Sequence, residues 1–292
     1  MRNSKFLRKI AVFAELAKFK VTLLVTFTTA TGYLLFSSIF TLQLIFAVIG
    51  IFLLASGSAA LNQVQEKEID KIMPRTKNRP IPSGKIKTIT AIIFSFALIL
   101  SGSLMLYAGV GTIPLLLGLF TLIWYNGVYT YLKRITAFAV VPGSIVGAVP
   151  PLVGWTAAGG ILADFQILSL AFYLFIWQIP HFWLLLILYG KDYEMAGLPT
   201  LSKIFTTDQI KRVTFMWIFA TLVCAILFAL FNHFLIWNTF FILVLSLFLF
   251  IYSFLQIFRR DAFPVKRLFI FTNLFTLLVL IISIINSLNI SL

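Results

Sequence analysis

The sequence predicts an all-α polytopic membrane protein, with nine transmembrane helices around a central cavity. Three observations carry that reading. Of its 292 residues 61% are hydrophobic and only 11% charged, and its mean hydropathy is +1.03, more apolar surface than a soluble globule can hide. Apolar runs of bilayer-crossing length recur nine times along the chain. Every lysine and arginine falls in alternate connections between those runs, which is the pattern expected when the basic connections stay on the cytoplasmic side.

The tail carries Arg2, Lys5, Arg8, Lys9, Lys18 and Lys20 and leads into a first span over 20–38. That run is too long for the apolar core of a cleaved signal peptide and is read as a retained helix. The second span covers 42–61, and the connection after it holds seven basic residues. The third (88–108) and fourth (112–131) are separated only by residues 109–112. Lys133 and Arg134 follow. The fifth, 137–157, is interrupted by Pro142, Pro150 and Pro151, which predicts a helix broken at membrane depth, where the backbone lines a cavity, or close packing through small residues. The sixth covers 165–188, and the next connection carries Lys191, Lys203, Lys211 and Arg212. The seventh and eighth cover 213–231 and 236–258. Arg259, Arg260, Lys266 and Arg267 precede the ninth, 267–287. These groups account for all 23 basic residues, so the N-terminus is expected in the cytoplasm and the C-terminus outside, in the cell (plasma or inner) membrane. The whole chain, 1–292, reads as one transmembrane domain whose connections 62–87 and 189–212 cap a site.

Composition also excludes several classes. The net charge of +14 is explained by topology and by attraction to anionic membrane lipid; no basic motif interleaved with aromatics points to nucleic acid. The single cysteine, Cys224, forbids a disulfide or a zinc cluster. No Gly-rich phosphate loop, G-x-S-x-G or H-E-x-x-H motif is present.

Chemistry concentrates in three segments. In 62–80, Asn62, Glu66 and Asp70 recur every four residues, a row on one helix face with rungs about 6 Å apart; the second span is expected to run on through Asp70 until Pro74. Hard oxygen donors in a row suit magnesium, which needs few protein ligands beside phosphate oxygens. Arg75 and Arg79, four apart, suit phosphate oxygens. The plainer reading is a solvated loop with helix-end ion pairs, and Glu68 lies off the row. In the second segment, Lys133-Arg134 serve as a topology anchor or a diphosphate contact, ahead of the run from Gly147 through Pro150-Pro151 to Gly154-Trp155. The third places Trp177-Gln178-Ile179-Pro180-His181-Phe182-Trp183 inside a span. His181 there is open to acceptor contact, iron ligation, proton transfer or a plain helix–helix hydrogen bond. Asp192, three turns further on, can hold a second magnesium opposite the first or be a helix-end charge.

These residues resemble the haem O synthase (protoheme IX farnesyltransferase) branch of the UbiA-type intramembrane prenyltransferases. Asn62-x-x-x-Glu66-x-x-x-Asp70 is similar to the superfamily's N-x-x-x-D-x-x-x-D motif. Met73-x-Arg75-Thr76-x-x-Arg79-Pro80, Leu132-Lys133-Arg134-x-Thr136, Gly147-Ala148-x-Pro150-Pro151-x-x-Gly154-Trp155 and Trp177-Gln178-x-Pro180-His181-Phe182-Trp183 resemble the haem branch, as does Asp192-Tyr193-x-x-Ala196-Gly197-x-Pro199. Glu66 stands where aspartate is usual, Lys191 where a further aspartate is common, and Ala139 where asparagine is common. The resemblance implies farnesyl transfer from farnesyl diphosphate to the 2-vinyl group of haem B, with magnesium as cofactor. Asn62, Glu66, Asp70 and Asp192 would be its ligands. Arg75, Arg79, Lys133, Arg134, Trp177, Gln178 and Tyr193 would touch substrate, and His181 would lie on the haem side. A haem A synthase or a terminal oxidase assembly factor is the partner the resemblance implies. The alternatives are a related prenyltransferase for an aromatic quinone precursor and a non-enzymatic membrane carrier.

Overall fold

The computed structural model describes residues 2–258 and 263–290; Arg259 and Arg260 of the last basic connection lie outside them. Twelve helical segments are used below. These are α1 (Arg2–Leu16), α2 (Phe19–Ser37), α3 (Leu42–Gln65), α4 (Lys67–Ile72) and α5 (Thr88–Val110). Next come α6 (Thr112–Leu132) and α7 (Ala137–Ala157), each a continuous span with irregular turns. The remainder are α8 (Phe165–Leu188), α9 (Gly190–Met195), α10 (Thr207–Phe231), α11 (Ile236–Phe258) and α12 (Val265–Ile290). Among the described residues nine of these (α2, α3, α5, α6, α7, α8, α10, α11 and α12) are long and apolar enough to cross a membrane, and the expected spans all fall on them.

Burial ranks the helices. In its most apolar window α7 has 61% of its residues buried, whereas α5 and α11 have 22%, so α7 is central and the other two face lipid. The outward side chains of α5, such as Ile93, Phe96, Leu100 and Leu104, are accordingly large and apolar. Lipid tails are as oily as leucine, so close packing and interhelical hydrogen bonds hold such a bundle together. The Ser95 hydroxyl, for example, donates to the Gly57 carbonyl across α5 and α3 at 2.7 Å. The threonines of α2 return their hydroxyl protons to carbonyls of their own helix, as Thr26 does to Thr22 at 2.7 Å, which lets them sit in an apolar setting.

Two expectations are corrected. The Pro150-Pro151 pair does not break the fifth span: both prolines lie buried inside a helical stretch, Ile145–Ala157. Small residues are used here for close approach. A Cβ added at Gly154 would stand 1.9 Å from the Thr29 carbonyl oxygen, and one at Gly32 would stand 2.0 Å from that of Pro151. Helices α2 and α7 therefore touch backbone to backbone. The irregularity of the span lies earlier, in a 3-10 turn at Ala137–Ala139 and an interruption at Ser144. The second correction concerns α3, which ends at Gln65 and does not run on through Asp70. Glu66 has left helical geometry (φ −103°, ψ 4°) and separates α3 from the short α4.

Candidate active site

The three rungs are buried despite the break. Asn62 is 1% exposed, Glu66 6% and Asp70 0%. The row bends at Glu66 but keeps a helical hydrogen bond, with the Asp70 N–H donating to the Glu66 carbonyl at 2.8 Å. None of the three faces bulk solvent.

Each rung is held by a cation from a different part of the chain. Lys18, between α1 and α2, donates from Nζ to Asn62 Oδ1 at 3.1 Å. Lys133, at the end of α6, forms an ion pair with Glu66. Arg79 places one Nη1 2.9 and 2.8 Å from the two oxygens of Asp70. The residues 73–80 are folded back to allow this: the Thr76 hydroxyl donates to the Asp70 carbonyl at 3.0 Å, and Arg79 N–H to the Thr76 carbonyl at 2.9 Å. Arg75 lies over the Tyr189 ring at 4.7 Å, which ties the first long connection to the second.

Electrostatics follow from this crowding. Burial works against ionisation of Glu66, but the Lys133 ammonium, with Lys18 and Arg79 behind it, holds the carboxyl below its ordinary range. Burial, aided by Arg79, pulls the Lys18 ammonium down to about 8. Burial also pushes the Tyr193 phenol up, against the opposing pull of Arg75, so Tyr193 is a neutral hydroxyl beside the same charges.

Several contributors carried no sequence motif. Tyr125 OH donates to Asn62 Oδ1 at 3.1 Å, and Asn62 Nδ2 donates to Thr130 Oγ1 at 3.1 Å. Both partners come from α6, which widens into a π-helical turn at Trp124–Tyr129; such turns are frequent at functional sites. Asn126, buried in that turn, accepts from Ser58 Oγ at 2.6 Å and donates to Gln65 Oε1 at 2.9 Å, while Gln65 Nε2 donates to the Asn126 carbonyl at 3.0 Å. This lattice fixes the register of α6 against α3. Gln63 donates to the carbonyls of Glu15 and Leu16 at 3.1 and 3.0 Å, anchoring the end of α1 beside Lys18. The one available signal was the run of polar aromatics around a single amide, Asn126, at residues 124–131.

The remaining expected residues divide. Arg134 donates to the Gln65 carbonyl at 2.9 Å and lies over Tyr131, closing the end of α3 instead of facing a rung. Asp192 is half-buried on α9, and among the described residues no hydrogen bond or ion pair engages its carboxylate. Nor do any three His, Cys, Asp or Glu side chains among them converge as a metal-binding set. His181, Trp177 and Gln178 form a second group inside α8. His181 Nδ1 lies 2.6 Å from Asn273 Oδ1 and is ringed by Trp177, Phe182 and Phe269. Because the Asn273 amide nitrogen is committed to the Phe269 carbonyl, its oxygen faces the histidine. Nδ1 then donates to that oxygen, and in the neutral ring Nε2 is the nitrogen with a lone pair. The Gln178 amide lies against Gly147, where an added Cβ would meet it at 1.3 Å.

A family comparison decides the kinship: the profile of the UbiA prenyltransferase family matches residues 23–278. The chain belongs to the UbiA prenyltransferase family. Among UbiA relatives, protoheme IX farnesyltransferase of Geobacter sulfurreducens is 46% identical over 153 residues, 52% of this chain and 56% of that protein. Those of Oleidesulfovibrio alaskensis and Nitratidesulfovibrio vulgaris are 39% and 37% identical, over 66% and 76% of their lengths and 64% and 75% of this chain. The chain thus spans between just over half and about three quarters of these relatives. The UbiA fold recurs in the solved structure of a digeranylgeranylglyceryl phosphate synthase, with a TM-score of 0.77 at 18% identity over 97% of this chain and 99% of that one. It recurs too in a UbiA homologue from Archaeoglobus fulgidus bound to GPP and Mg2+, with a TM-score of 0.67 at 13% identity over 93% of this chain and 99% of that one.

Proposed function

We propose that this chain transfers a farnesyl group from farnesyl diphosphate to the 2-vinyl group of haem B, giving haem O and diphosphate, at the inner face of the cell membrane. The observation that carries the reading is the buried row Asn62–Glu66–Asp70 ringed by Lys18, Lys133 and Arg79 at one end of an apolar bundle. The relatives named as protoheme IX farnesyltransferases point to the acceptor. Charges gathered at one mouth, not at the midplane where carriers place coupling charges, favour an enzyme over a carrier.

The donor set fits magnesium by its chemistry: two carboxylates and an amide oxygen, all buried, with room in the coordination sphere for phosphate oxygens. Asn62, Glu66 and Asp70 would hold it, with Asp192 from the second connection. It would supply a Lewis acid that neutralises charge building on the diphosphate. The basic residues do the rest of the electrostatic work. Arg75, Arg79 and Lys133 stabilise the leaving oxygens as the allylic carbon–oxygen bond breaks, and Arg134 sits at the rim. Tyr193, a neutral hydroxyl, donates to a phosphate oxygen. The apolar spans exclude water from the allylic cation until the vinyl carbon attacks it; water then adds at the former vinyl group to leave a hydroxyethylfarnesyl substituent. Trp177, Gln178 and His181 face the acceptor, with the free Nε2 of His181 on the haem side. Connections 62–87 and 189–212 cap the site of a single domain that faces the cytoplasm, with the C-terminus outside. A haem A synthase or a terminal oxidase assembly factor would receive the product.

The test is membranes bearing the protein, supplied with haem B and labelled farnesyl diphosphate. Label is expected in a haem product bearing a hydroxyethylfarnesyl group. Label entering only an aromatic quinone precursor overturns the assignment of acceptor, and flux of solute with no diphosphate release overturns the enzyme.

A further inference from the structure

We propose that Lys18 is a built-in counter-ion that keeps the acidic row closed to a bare divalent cation, so that metal and diphosphate enter together. The proposal rests on the diphosphate-site reading above.

Asn62 Oδ1 receives two donors, Lys18 Nζ and Tyr125 OH, each at 3.1 Å, and the ammonium also lies 3.4 Å from that phenol oxygen. An amide oxygen has two lone pairs, so the first rung has none left for a metal while Lys18 is in place. The other two rungs are engaged by Lys133 and Arg79. Two carboxylates face three cations, and the cluster is net positive. Such a cluster repels a lone divalent cation. It accepts a metal–diphosphate pair, because a fully ionised prenyl diphosphate carries one more negative charge than a divalent cation neutralises.

The backbone supports a movable Lys18. It stands in the left-handed region (φ 50°, ψ 46°) between α1 and α2, a conformation disfavoured for a non-glycine residue. The neighbouring ends are fixed: Gln63 pins the Glu15 and Leu16 carbonyls. Nζ sits at the end of a flexible stem and can turn from Asn62 to a phosphate oxygen without dragging either helix. Lys18 is thus a positioning residue that exchanges one oxygen partner for another as substrate arrives.

The experiment measures binding of Mn2+ by electron paramagnetic resonance, on the full chain in nanodiscs, with and without farnesyl S-thiolodiphosphate, an analogue slow to ionise. The native protein is expected to bind Mn2+ at least about tenfold more tightly when the analogue is present, a coupling of ordinary size. Lys18→Gly, which suits the backbone and lacks the ammonium, is expected to bind Mn2+ alone about tenfold more tightly than native, with the analogue's further gain reduced by the same factor. Lys18→Asn is a second variant tolerant of that backbone region, and Lys18→Arg should restore native coupling. Unchanged affinity for Mn2+ alone in both Lys18→Gly and Lys18→Asn overturns the proposal. No Mn2+ binding by any variant even with the analogue overturns the diphosphate-site reading itself, and the proposal with it.

Discussion

Replacing Gly154 by alanine tests the architecture that carries the site. The added Cβ would lie 1.9 Å from the Thr29 carbonyl oxygen and 2.7 Å from the Tyr33 nitrogen. A carbon–oxygen contact needs about 3.3 Å, so α2 and α7 must part locally by about 1.4 Å. Both obstacles are backbone atoms and no side chain can swing aside. Overpacking of this kind costs about 1–3 kcal/mol, a loss of several degrees in apparent melting temperature. Gly127 supplies the control, since a Cβ there meets only Ile123 Cγ2, at 3.9 Å, on an exposed face. Gly127→Ala should be neutral or stabilising by up to about 1 kcal/mol. The assay is thermal unfolding of both purified variants in one detergent. Equal melting temperatures for Gly154→Ala and the native protein would refute backbone contact between these helices.

Asp70→Asn is expected to cut farnesyl transfer by about 10²–10³-fold while the protein still inserts and elutes as a folded species; Glu68→Gln, at the exposed pair with Lys71, should leave turnover nearly unchanged. Steady-state rates for the two variants check this. Lys18 predicts a stability trend with pH. Its ammonium is disfavoured in the folded state, and that penalty is complete below about 8 and relieved as pH rises toward 10.5. The unfolded chain binds more protons across that window, so stability rises with pH. Melting curves from pH 7.5 to 10.5 should show a rise in the native protein relative to Lys18→Gly. Finally, Gly147→Ala must displace the Gln178 amide. Because that amide is the end of a flexible side chain, melting temperature should change little while KM for the haem acceptor rises; an unchanged KM would remove Gln178 from the acceptor side.

The spans were legible because lipid imposes a long apolar run on each and the basic residues mark alternate ends. The polar residues of the candidate site stood out for the related reason that Asn62, Glu66, Asp70 and His181 are costly in such a chain. Pairing was not. Lys18 reads as one more topological charge until its contact with Asn62, 44 residues away, is seen. Asn273 is a lone amide in an oily helix until His181 faces it. The bend at Glu66 was hidden because four-residue spacing is compatible with a continuous helix, and the ion pairs that Asp70 and Glu66 make there come from Arg79 and Lys133, elsewhere in the chain. Pro150-Pro151 misled in the opposite direction: local chemistry argues for a break, but the helix persists, and its close contact with α2 is made by the small residues around the prolines.

The wide turn at Trp124–Tyr129 makes the spacing of this segment a structural quantity in its own right. A π turn takes in one residue more than an α turn. If the same residues wound there as an ordinary α-helix, everything downstream would lie about 100° further round. Lys133 would then emerge on a flank turned away from Glu66, and the Asn126–Gln65 clasp would have nothing opposite it. The winding of this one turn sets whether the two ends of the bundle's polar mouth meet.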